Sequence, residues 1–236
     1  MSKDTRWRLD KLLSHVLPTT RSSAQRLVRA GRVRIDETPA EDPATHVEPA
    51  RQTVYVDDAP IAPPGPIILV MHKPAGVVSS TDDARDQTVI DLVPHALRRR
   101  TLAPVGRLDK DTTGLLLLTD DGPFAHVMTH PRRHVPKVYQ VSYSGELTPD
   151  AVERVAAGLS LGDESCLPAE LALTGPGAAR LVLHEGKHHQ VKRMISVLGG
   201  LVTALHRTRI GGLELPPDLA PGDVRLITEA ELAQLR

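Results

Sequence analysis

A loop rich in charged residues runs directly into a continuous apolar segment at Gly106–Gly122, which reads GRLDKDTTGLLLLTDDG. The apolar run Leu115–Leu118 is far shorter than the roughly 18 residues that a membrane span needs. A short continuous run of this kind is typical of a strand that is buried on both faces. The segment therefore predicts a strand inside a layered sheet, with Asp109 on the polar loop that precedes it.

Four further stretches have patterns that are typical of strands or helices. Ile67–Met71 is a second continuous apolar run, and Lys137–Ser144 alternates, with Tyr139 on the more apolar face. His188–Leu198 has apolar residues at helical spacing, and Thr228–Glu231 reads as a capping box that opens a last helix. Strands interleaved with helices, without a regular βαβ rhythm, predict an α+β domain around a mixed, largely antiparallel sheet.

The N-terminal segment predicts a small unit of two helices and a strand. Apolar residues recur at helical spacing over Leu9–Val16, and Pro18 closes the pattern. A second helix is expected over Ser22–Ala30, and Val33–Ile35 is expected to form a strand. The solvent side of the second helix and the turn after it would carry four arginines: Arg21, Arg26, Arg29 and Arg32.

A Pro-rich stretch at 61–66 is expected to link two domains, a small unit at 1–60 and a larger one at 67–236. The N-terminus has no apolar stretch typical of a secretory signal, and the chain has no long apolar run. Its single cysteine, Cys166, has no partner for an internal disulfide. We therefore expect a cytoplasmic protein without membrane contact.

Charge is strongly segregated although the formal net charge is +0. Residues 1–34 carry 9 Lys or Arg against 2 Asp or Glu, and residues 180–209 carry 6 basic residues against 1 acid. The intervening segment 35–60 carries 7 acids and 1 Arg. Basic segments of this kind attract a phosphate backbone, although a solvated helix face is the commoner explanation of any one of them. Because aromatic residues are only 2% of the chain, recognition by stacking successive bases is not expected.

The residues alone leave several interpretations of the Asp109 loop open. It could be a turn of Asp, Thr and Gly between strands, or it could hold a catalytic carboxylate next to a rigid strand. A divalent metal site would need convergence of four carboxylates, which are Asp109, Asp111, Asp120 and Asp121. The histidines at 126, 130 and 134 are spaced by four, but Pro131 should interrupt the helix that would align them. His188 and His189 are adjacent, would point apart on a helix, and are expected to be RNA contacts or surface residues.

The loop also resembles the signature of the RsuA-type branch of pseudouridine synthases. HKPAG at His72–Gly76, KVYQV at Lys137–Val141 and EGKHHQVKRM at Glu185–Met194 resemble the other motifs of that branch, in the expected order. The N-terminal stretch RLDKLLSHVL…TRSSAQRLVRAGRVRID resembles the S4 RNA-binding domain. Together these similarities cover nearly the whole chain and imply the pseudouridine synthase fold.

The resemblance implies a role for each of several residues. Asp109 would be the catalytic aspartate, Tyr139 the active-site tyrosine and Lys192 the basic partner of Asp109, with Arg193 as the alternative partner. Arg107 would fill the space that an extruded base vacates, and Lys73 would approach a phosphate. On the S4-like unit, Arg21, Arg26 and Arg29 would contact RNA, and Arg193 is a further expected RNA contact.

Pseudouridine formation breaks the bond between ribose C1′ and uracil N1, turns the base and joins C1′ to C5. No group enters or leaves overall, so no cofactor is expected. A carboxylate can stabilise cationic character at the sugar or attack it covalently, and both routes stay open. The nucleotide must first leave its helix, at a cost of a few kcal/mol.

Three segments resemble the members of that branch that act on small-subunit (16S) ribosomal RNA more than those that act on large-subunit (23S) RNA: STDD at Ser80–Asp83, PRRHVPKVY at Pro131–Tyr139, and LHRTRIGGLEL at Leu205–Leu215. This resemblance implies 16S rRNA as the substrate. The expected partner is 16S rRNA within a partly assembled small subunit, bound by a monomer. A synthase for 23S rRNA is the first alternative. The others are a non-catalytic S4-type rRNA-binding or ribosome assembly factor and a metal-dependent phosphodiesterase.

Overall fold

The structure, a computed structural model, describes residues 6–62 and 64–235. The predicted small unit at 1–60 and the predicted linker at 61–66 therefore each include residues outside this description, as does the C-terminal residue of the predicted larger domain. The N-terminal elements are β1 (Trp7–Arg8), α1 (Leu9–Val16), α2 (Arg21–Arg29), β2 (Val33–Ile35), β3 (Thr38–Pro39), β4 (His46–Val47), β5 (Val54–Val56) and β6 (Ala59–Pro60).

The two predicted helices and the strand of the N-terminal unit are confirmed. α1 buries its four apolar residues, α2 buries Ala24 and Val28, and Gly31 ends the second helix with a φ of +69°. The carboxylate of Asp10 is fully buried between the helices and accepts hydrogen bonds from Arg8, Arg21 and Gln25. The hydrogen bond from Arg8, together with those from Arg21 and Gln25, holds the pKa of Asp10 far below its usual value. Asp10 therefore stays ionised and fastens α1 to α2.

The larger unit follows after residue 66. Its strands are β7 (Ile68–Lys73), β8 (Ala103–Pro104), β9 (Thr113–Thr119), β10 (Lys137–Gly145), β11 (Ser160–Leu161), β12 (Glu164–Ser165), β13 (Glu170–Gly175), β14 (Ala178–Leu183), β15 (Gly200–Ile210), β16 (Leu213–Glu214) and β17 (Val224–Leu226). Its helices are α3 (Gly122–Thr129), the 3₁₀ turn Pro131–Arg133, α4 (Ala151–Ala157), α5 (Gln190–Val197) and α6 (Glu229–Gln234).

One large sheet dominates this unit. Its strands lie in the order β13, β14, β10, β15, β9, β7, β17, with β16 added to β15 and β8 added to β9. The strands pair antiparallel except for β9 and β15, which are parallel. The prediction of an α+β fold around a mixed, largely antiparallel sheet is confirmed.

The position of β9 between two cores explains why its sequence is apolar without alternation. Leu116 and Leu118 face one core, which α4 and α5 cover, whereas Leu115 and Leu117 face a second core, which α3 and α6 cover. All four side chains have 0% exposure. The strand is therefore buried on both faces, as its continuous run of leucines predicts.

The Pro-rich stretch is packed more closely than a solvated linker. Ile61 belongs to the core of the N-terminal unit, and Ala62 belongs to that of the larger unit. Ala96, from the larger unit, packs into the N-terminal core. The two units are thus in apolar contact. No described helix combines the length and the apolar character that crossing a membrane requires.

Candidate active site

The loop that carries Asp109 is held in place before it reaches β9. Gly106 has a φ of +74°, and Leu108 buries its side chain in the core. The hydroxyl of Ser79 donates to the carbonyl oxygen of Leu108 at 2.8 Å and accepts from its N–H at 3.1 Å. Because Ser79 satisfies both backbone groups of the preceding residue, the Cα of Asp109 has little freedom to move.

Lys73 holds the loop on the other side of Asp109. Its ammonium donates to the carbonyl oxygens of Pro74, Lys110 and Thr112 at 3.0, 3.3 and 2.8 Å. Burial lowers the pKa of Lys73 to about 8, although the charges of Asp111 and Asp109 act in the opposite direction. The side chain has 0% exposure, so the expectation that Lys73 approaches a phosphate is wrong. Its charge is used inside the protein, to bind three carbonyl oxygens near the site.

Asp109 meets two basic side chains from the segment 189–192. Nζ of Lys192 lies 3.2 Å from Oδ2, and Nε2 of His189 lies 3.5 Å from Oδ1. The Asp109 side chain is 27% exposed, so the carboxylate can be reached from solvent. Each carboxylate oxygen thus lies next to a nitrogen atom of a different side chain.

Lys192 is shared between two carboxylates. Its ammonium also donates to Oδ1 of Asp111 at 2.6 Å, and Asp111 is 72% exposed. Burial of the ammonium acts to lower the pKa of Lys192. The hydrogen bonds to Asp111 and Asp109, together with the charges of these two residues, outweigh the effect of burial, so the pKa of Lys192 is raised. The hydrogen bond from Lys192 also lowers the pKa of Asp111. Lys192 therefore remains a cation next to Asp109 across the physiological pH range.

Arg193 does not contact this pair. Its guanidinium donates to Glu164 at 2.6 Å and to the carbonyl oxygen of Leu161 at 2.7 Å. The alternative in which Arg193 is the partner of Asp109 is therefore wrong for this structure, and Lys192 occupies that position. Arg107 is exposed two residues before Asp109, and no hydrogen bond or ion pair is recorded for its side chain among residues 6–62 and 64–235.

A shallow cavity of about 530 Å³ opens above the carboxylate. Its walls are Asp109, Lys110 and Asp111 from the loop, His189 and Lys192 from the α5 segment, and Ala75 with Gly76. Tyr139 is not part of this wall, because it is buried in the core at 7% exposure. Tyr139 is connected to the site through paired residues of the large sheet.

That connection is a row of paired residues across four strands. Lys73 on β7 pairs with Gly114 on β9, Gly114 pairs with Arg207 on β15, and Arg207 pairs with Tyr139 on β10. Arg207 is buried at 2% exposure, and its Nε donates to the carbonyl oxygen of Leu115 at 2.8 Å. The sheet therefore places the HKPAG and KVYQV segments in one row with the start of β9, with β7 next to β9 and β10 separated from it by β15.

The structure corrects the prediction for His188 and His189. α5 begins at Gln190, because His189 has a φ of +49°, in the left-handed region, and forms the N-cap. The two rings do not point apart; they stack with centroids 3.8 Å apart. The ring of His189 lies 3.5 Å from Asp109 and is still 46% exposed, so His189 is a surface residue that borders the site.

The four aspartates of the metal hypothesis do not converge. Asp120 pairs with Arg99 at 2.8 Å, and Asp121 caps the N-terminus of α3. Asp109 and Asp111 face Lys192. Within the described ranges, no group of three or more His, Cys, Asp or Glu side chains is arranged to hold a metal ion. α3 ends at Thr129, before Pro131, as the sequence predicts for the histidines spaced by four.

The predicted RNA contacts of the N-terminal unit lie at its surface. Arg21, Arg26 and Arg29 are exposed on α2. Arg21 is also bonded to the buried Asp10, at 3.1 Å, so it has a structural role whatever else it binds. Arg29 has no hydrogen bond or ion pair recorded in the described part of the chain.

Two residues of the site, Ser79 and His189, are not assigned to it by sequence reasoning. A serine in VVSS carries no distinctive signal, because its partner Leu108 is 29 positions away. His189 does carry one, because it precedes Lys192 by three positions, about one helical turn.

Comparison with known proteins gives a consistent result. The family described as RNA pseudouridylate synthase matches residues 67–197, and the S4 domain matches residues 7–52. The ribosomal small subunit pseudouridine synthase A of Escherichia coli (strain K12) is 41% identical over 231 residues, which cover 97% of this chain and 99% of that protein. A Bacillus subtilis (strain 168) protein, named uncharacterized RNA pseudouridine synthase YtzG, is 41% identical over 230 residues, covering 95% and 96%.

A solved structure shares the architecture. A crystal structure of a pseudouridylate synthase aligns with a TM-score of 0.69 and 33% sequence identity, and the alignment covers 97% of this chain and 99% of that one. The similarity therefore extends over both units.

Proposed function

This chain belongs to the RNA pseudouridylate synthase family, in the RsuA-type branch with an N-terminal S4 domain, and we propose that it isomerises one uridine of 16S ribosomal RNA with Asp109 as the catalytic carboxylate. One observation carries the role of Asp109. A partly exposed carboxylate, on a loop held from both sides, lies at a cavity with Lys192 3.2 Å from one oxygen. A preorganised charge at a reacting centre is the usual largest contribution of a protein to catalysis.

The choice of 16S rRNA rests on the relatives. The E. coli relative is named for the small ribosomal subunit, and it matches this chain at nearly full length. The STDD, PRRHVPKVY and LHRTRIGGLEL segments favour the same substrate. We extend the proposal to a monomer that acts in the cytoplasm on 16S rRNA within a partly assembled small subunit.

The reaction makes specific demands on Asp109. As the bond from C1′ to N1 breaks, positive character develops at C1′, and an anionic oxygen next to it stabilises that charge or forms a bond with C1′. Either route requires a carboxylate oxygen with a fixed direction. Ser79 and Lys73 fix the backbone around Asp109, and Lys192 and His189 orient its two oxygens.

The base must then rotate and lose the proton at C5 as the bond from C1′ to C5 forms, while N1 gains a proton. We propose that Tyr139 supports the rotated base and assists this proton transfer. Support comes from the row that connects Tyr139 through Arg207 and Gly114 to Lys73. Because Tyr139 is buried at 7% exposure, this role requires the cavity to deepen when RNA binds.

Arg107 is proposed to occupy the space that the extruded nucleotide leaves. Its support is an exposed guanidinium without a recorded partner in the described ranges, on the same loop as Asp109. Arg21, Arg26 and Arg29 are proposed to bind RNA phosphates from the S4 domain. These contacts would position the substrate rather than select the base.

Mapping pseudouridines in both rRNAs from cells that lack this gene tests the proposal. The expected result is a single missing site in 16S rRNA, restored by the wild-type gene. A site lost from 23S rRNA would favour the large-subunit alternative. Loss of no site would favour a non-catalytic RNA-binding or assembly factor.

A further inference from the structure

A cleft of about 840 Å³ separates the S4 domain from the catalytic domain, away from Asp109. One wall is formed by the end of α1, with His15, and by the connection to α2, with Thr19 and Thr20. The other wall is formed by the segments around Pro66 and Arg100. The cavity at the active site has no residue in common with this cleft.

The cleft has a rigid floor without net charge. Arg99 and Asp120 form an ion pair at 2.8 Å, with side chains only 7% and 11% exposed. Arg99 also donates to the carbonyl oxygen of Gly65, and Asp120 accepts from the N–H of Ile67 at 2.7 Å. The start of the catalytic domain is thus fixed to the segment that carries Arg100. The charge of Asp120 is neutralised within this network.

The rim of the cleft is cationic and aromatic. Arg100 is exposed, and no hydrogen bond or ion pair is recorded for its side chain across residues 6–62 and 64–235. On the opposite wall, the ring of His15 lines the cleft. Next to the cleft, Trp7 stacks on His15 with ring centroids 5.1 Å apart, and Nζ of Lys11 lies 5.6 Å from the centroid of Trp7. An arginine held on a fixed backbone without an internal partner is suited to an external anion.

We infer that this cleft binds the sugar–phosphate backbone of the substrate RNA, with Arg100 contacting a phosphate and His15, which stacks on Trp7, lining the opposite side. The inference rests on the proposed function, which supplies a polyanionic substrate that both domains must hold. Arg100 adds a positive charge to the rim, and the one acid in the lining, Asp120, is already paired. An RNA strand complements such a surface. The cleft would thereby fix the distance between the region bound by the S4 domain and the uridine at Asp109.

Binding of a 16S rRNA transcript to the full chain tests the inference. Trp7 is the only tryptophan of the chain and stacks on His15 of the cleft wall, so its fluorescence reports on that wall. We expect RNA to change Trp7 emission, and Arg100→Gln to raise the Kd about three- to tenfold and to reduce the slope of log K against log salt by about one. The kcat at saturating RNA should fall less than the affinity for RNA, because Arg100 does not line the cavity at Asp109.

Arg51→Gln is the matched control, because Arg51 is an exposed arginine of the S4 domain outside the cleft. Unchanged Kd and salt slope in both Arg100→Gln and Arg100→Glu, or Trp7 emission that saturating RNA leaves unaltered, would overturn the inference. Normal affinity of Arg100→Glu for the transcript, with lost modification of assembling subunits, would instead assign the cleft to a protein. Binding that depends on Arg100 without any isomerisation would refute the proposed function alone.

Discussion

Gly114 and Arg207 approach so closely that a Cβ on Gly114 would lie 2.2 Å from the carbonyl oxygen of Arg207. The contact lies where β9 and β15 pair in parallel, one strand from Lys73 and one strand from Tyr139. Gly114 also has a φ of +107°. Two independent constraints therefore require glycine at the strand that follows the Asp109 loop.

Gly114→Ala should lower the free energy of unfolding by about 2 to 4 kcal/mol, because backbone atoms of β15 must move to admit the methyl group. Chemical denaturation measures the loss. Gly222→Ala is the control, since Gly222 has a similar φ of +95° but no atom within 4 Å of the added Cβ. Equal losses in the two variants would show that backbone conformation, and not the contact with Arg207, determines the cost.

Ser79→Ala removes the hydroxyl that binds both backbone groups of Leu108. Because the deletion affects the position of Asp109 and not the chemical groups of the site, kcat should fall about tenfold while the protein stays folded. Tritium release from 5-tritiated uridine in RNA measures the rate. Ser80→Ala is the control, since that hydroxyl binds Asp82 in an exposed turn. An unchanged kcat in Ser79→Ala would mean that the loop is held without this clamp.

The buried ammonium of Lys73 should give stability a specific pH dependence. Its pKa is lowered from 10.5 to about 8 in the folded protein, so between these values the folded state binds fewer protons than the unfolded state. The free energy of unfolding should therefore rise with pH in this window, by up to about 1.4 kcal/mol per unit. The free energy of unfolding of the wild type minus that of Lys73→Met, measured from pH 7 to 10, should increase with pH. A constant difference would contradict the shift.

The sequence predicts the elements of the site better than it predicts their contacts. Leucines at four successive positions, Leu115–Leu118, predict a strand buried on both faces, and the strand is there. The charged loop before it places Asp109 next to that strand, although its residues alone leave a turn, a catalytic carboxylate and a metal site open. These features are local, so periodicity and composition are enough to find them.

Contacts between distant segments could not be read in the same way. Lys73 looks like a turn lysine before a proline, and only the pairing of β7 with β9 places its ammonium among the carbonyl oxygens of Pro74, Lys110 and Thr112. The left-handed conformation of His189 was equally hidden, because helical spacing extends the pattern to His188. Because of this backbone conformation, the ring of His189 lies 3.5 Å from the carboxylate of Asp109.

Substitutions of the neighbouring residues Lys192 and Arg193 should differ in their effect on kcat. Lys192→Met removes the cation next to Asp109 and should lower kcat about 10- to 100-fold, whereas Lys192→Arg keeps the charge and should lose less. Arg193→Gln is the control, because its guanidinium pairs with Glu164 and kcat should be unaffected. Single-turnover tritium release separates these rates from RNA binding. A larger loss in Arg193→Gln than in Lys192→Met would reverse the assignment.

The most direct measurement is tritium release from 5-tritiated 16S rRNA by Asp109→Asn compared with Asp111→Asn. Both substitutions remove one carboxylate charge facing Lys192, but only Asp109 is proposed to act on the ribose. We predict no release above background with Asp109→Asn, with unchanged RNA affinity, and substantial release with Asp111→Asn. Release at the wild-type rate by Asp109→Asn would contradict the account.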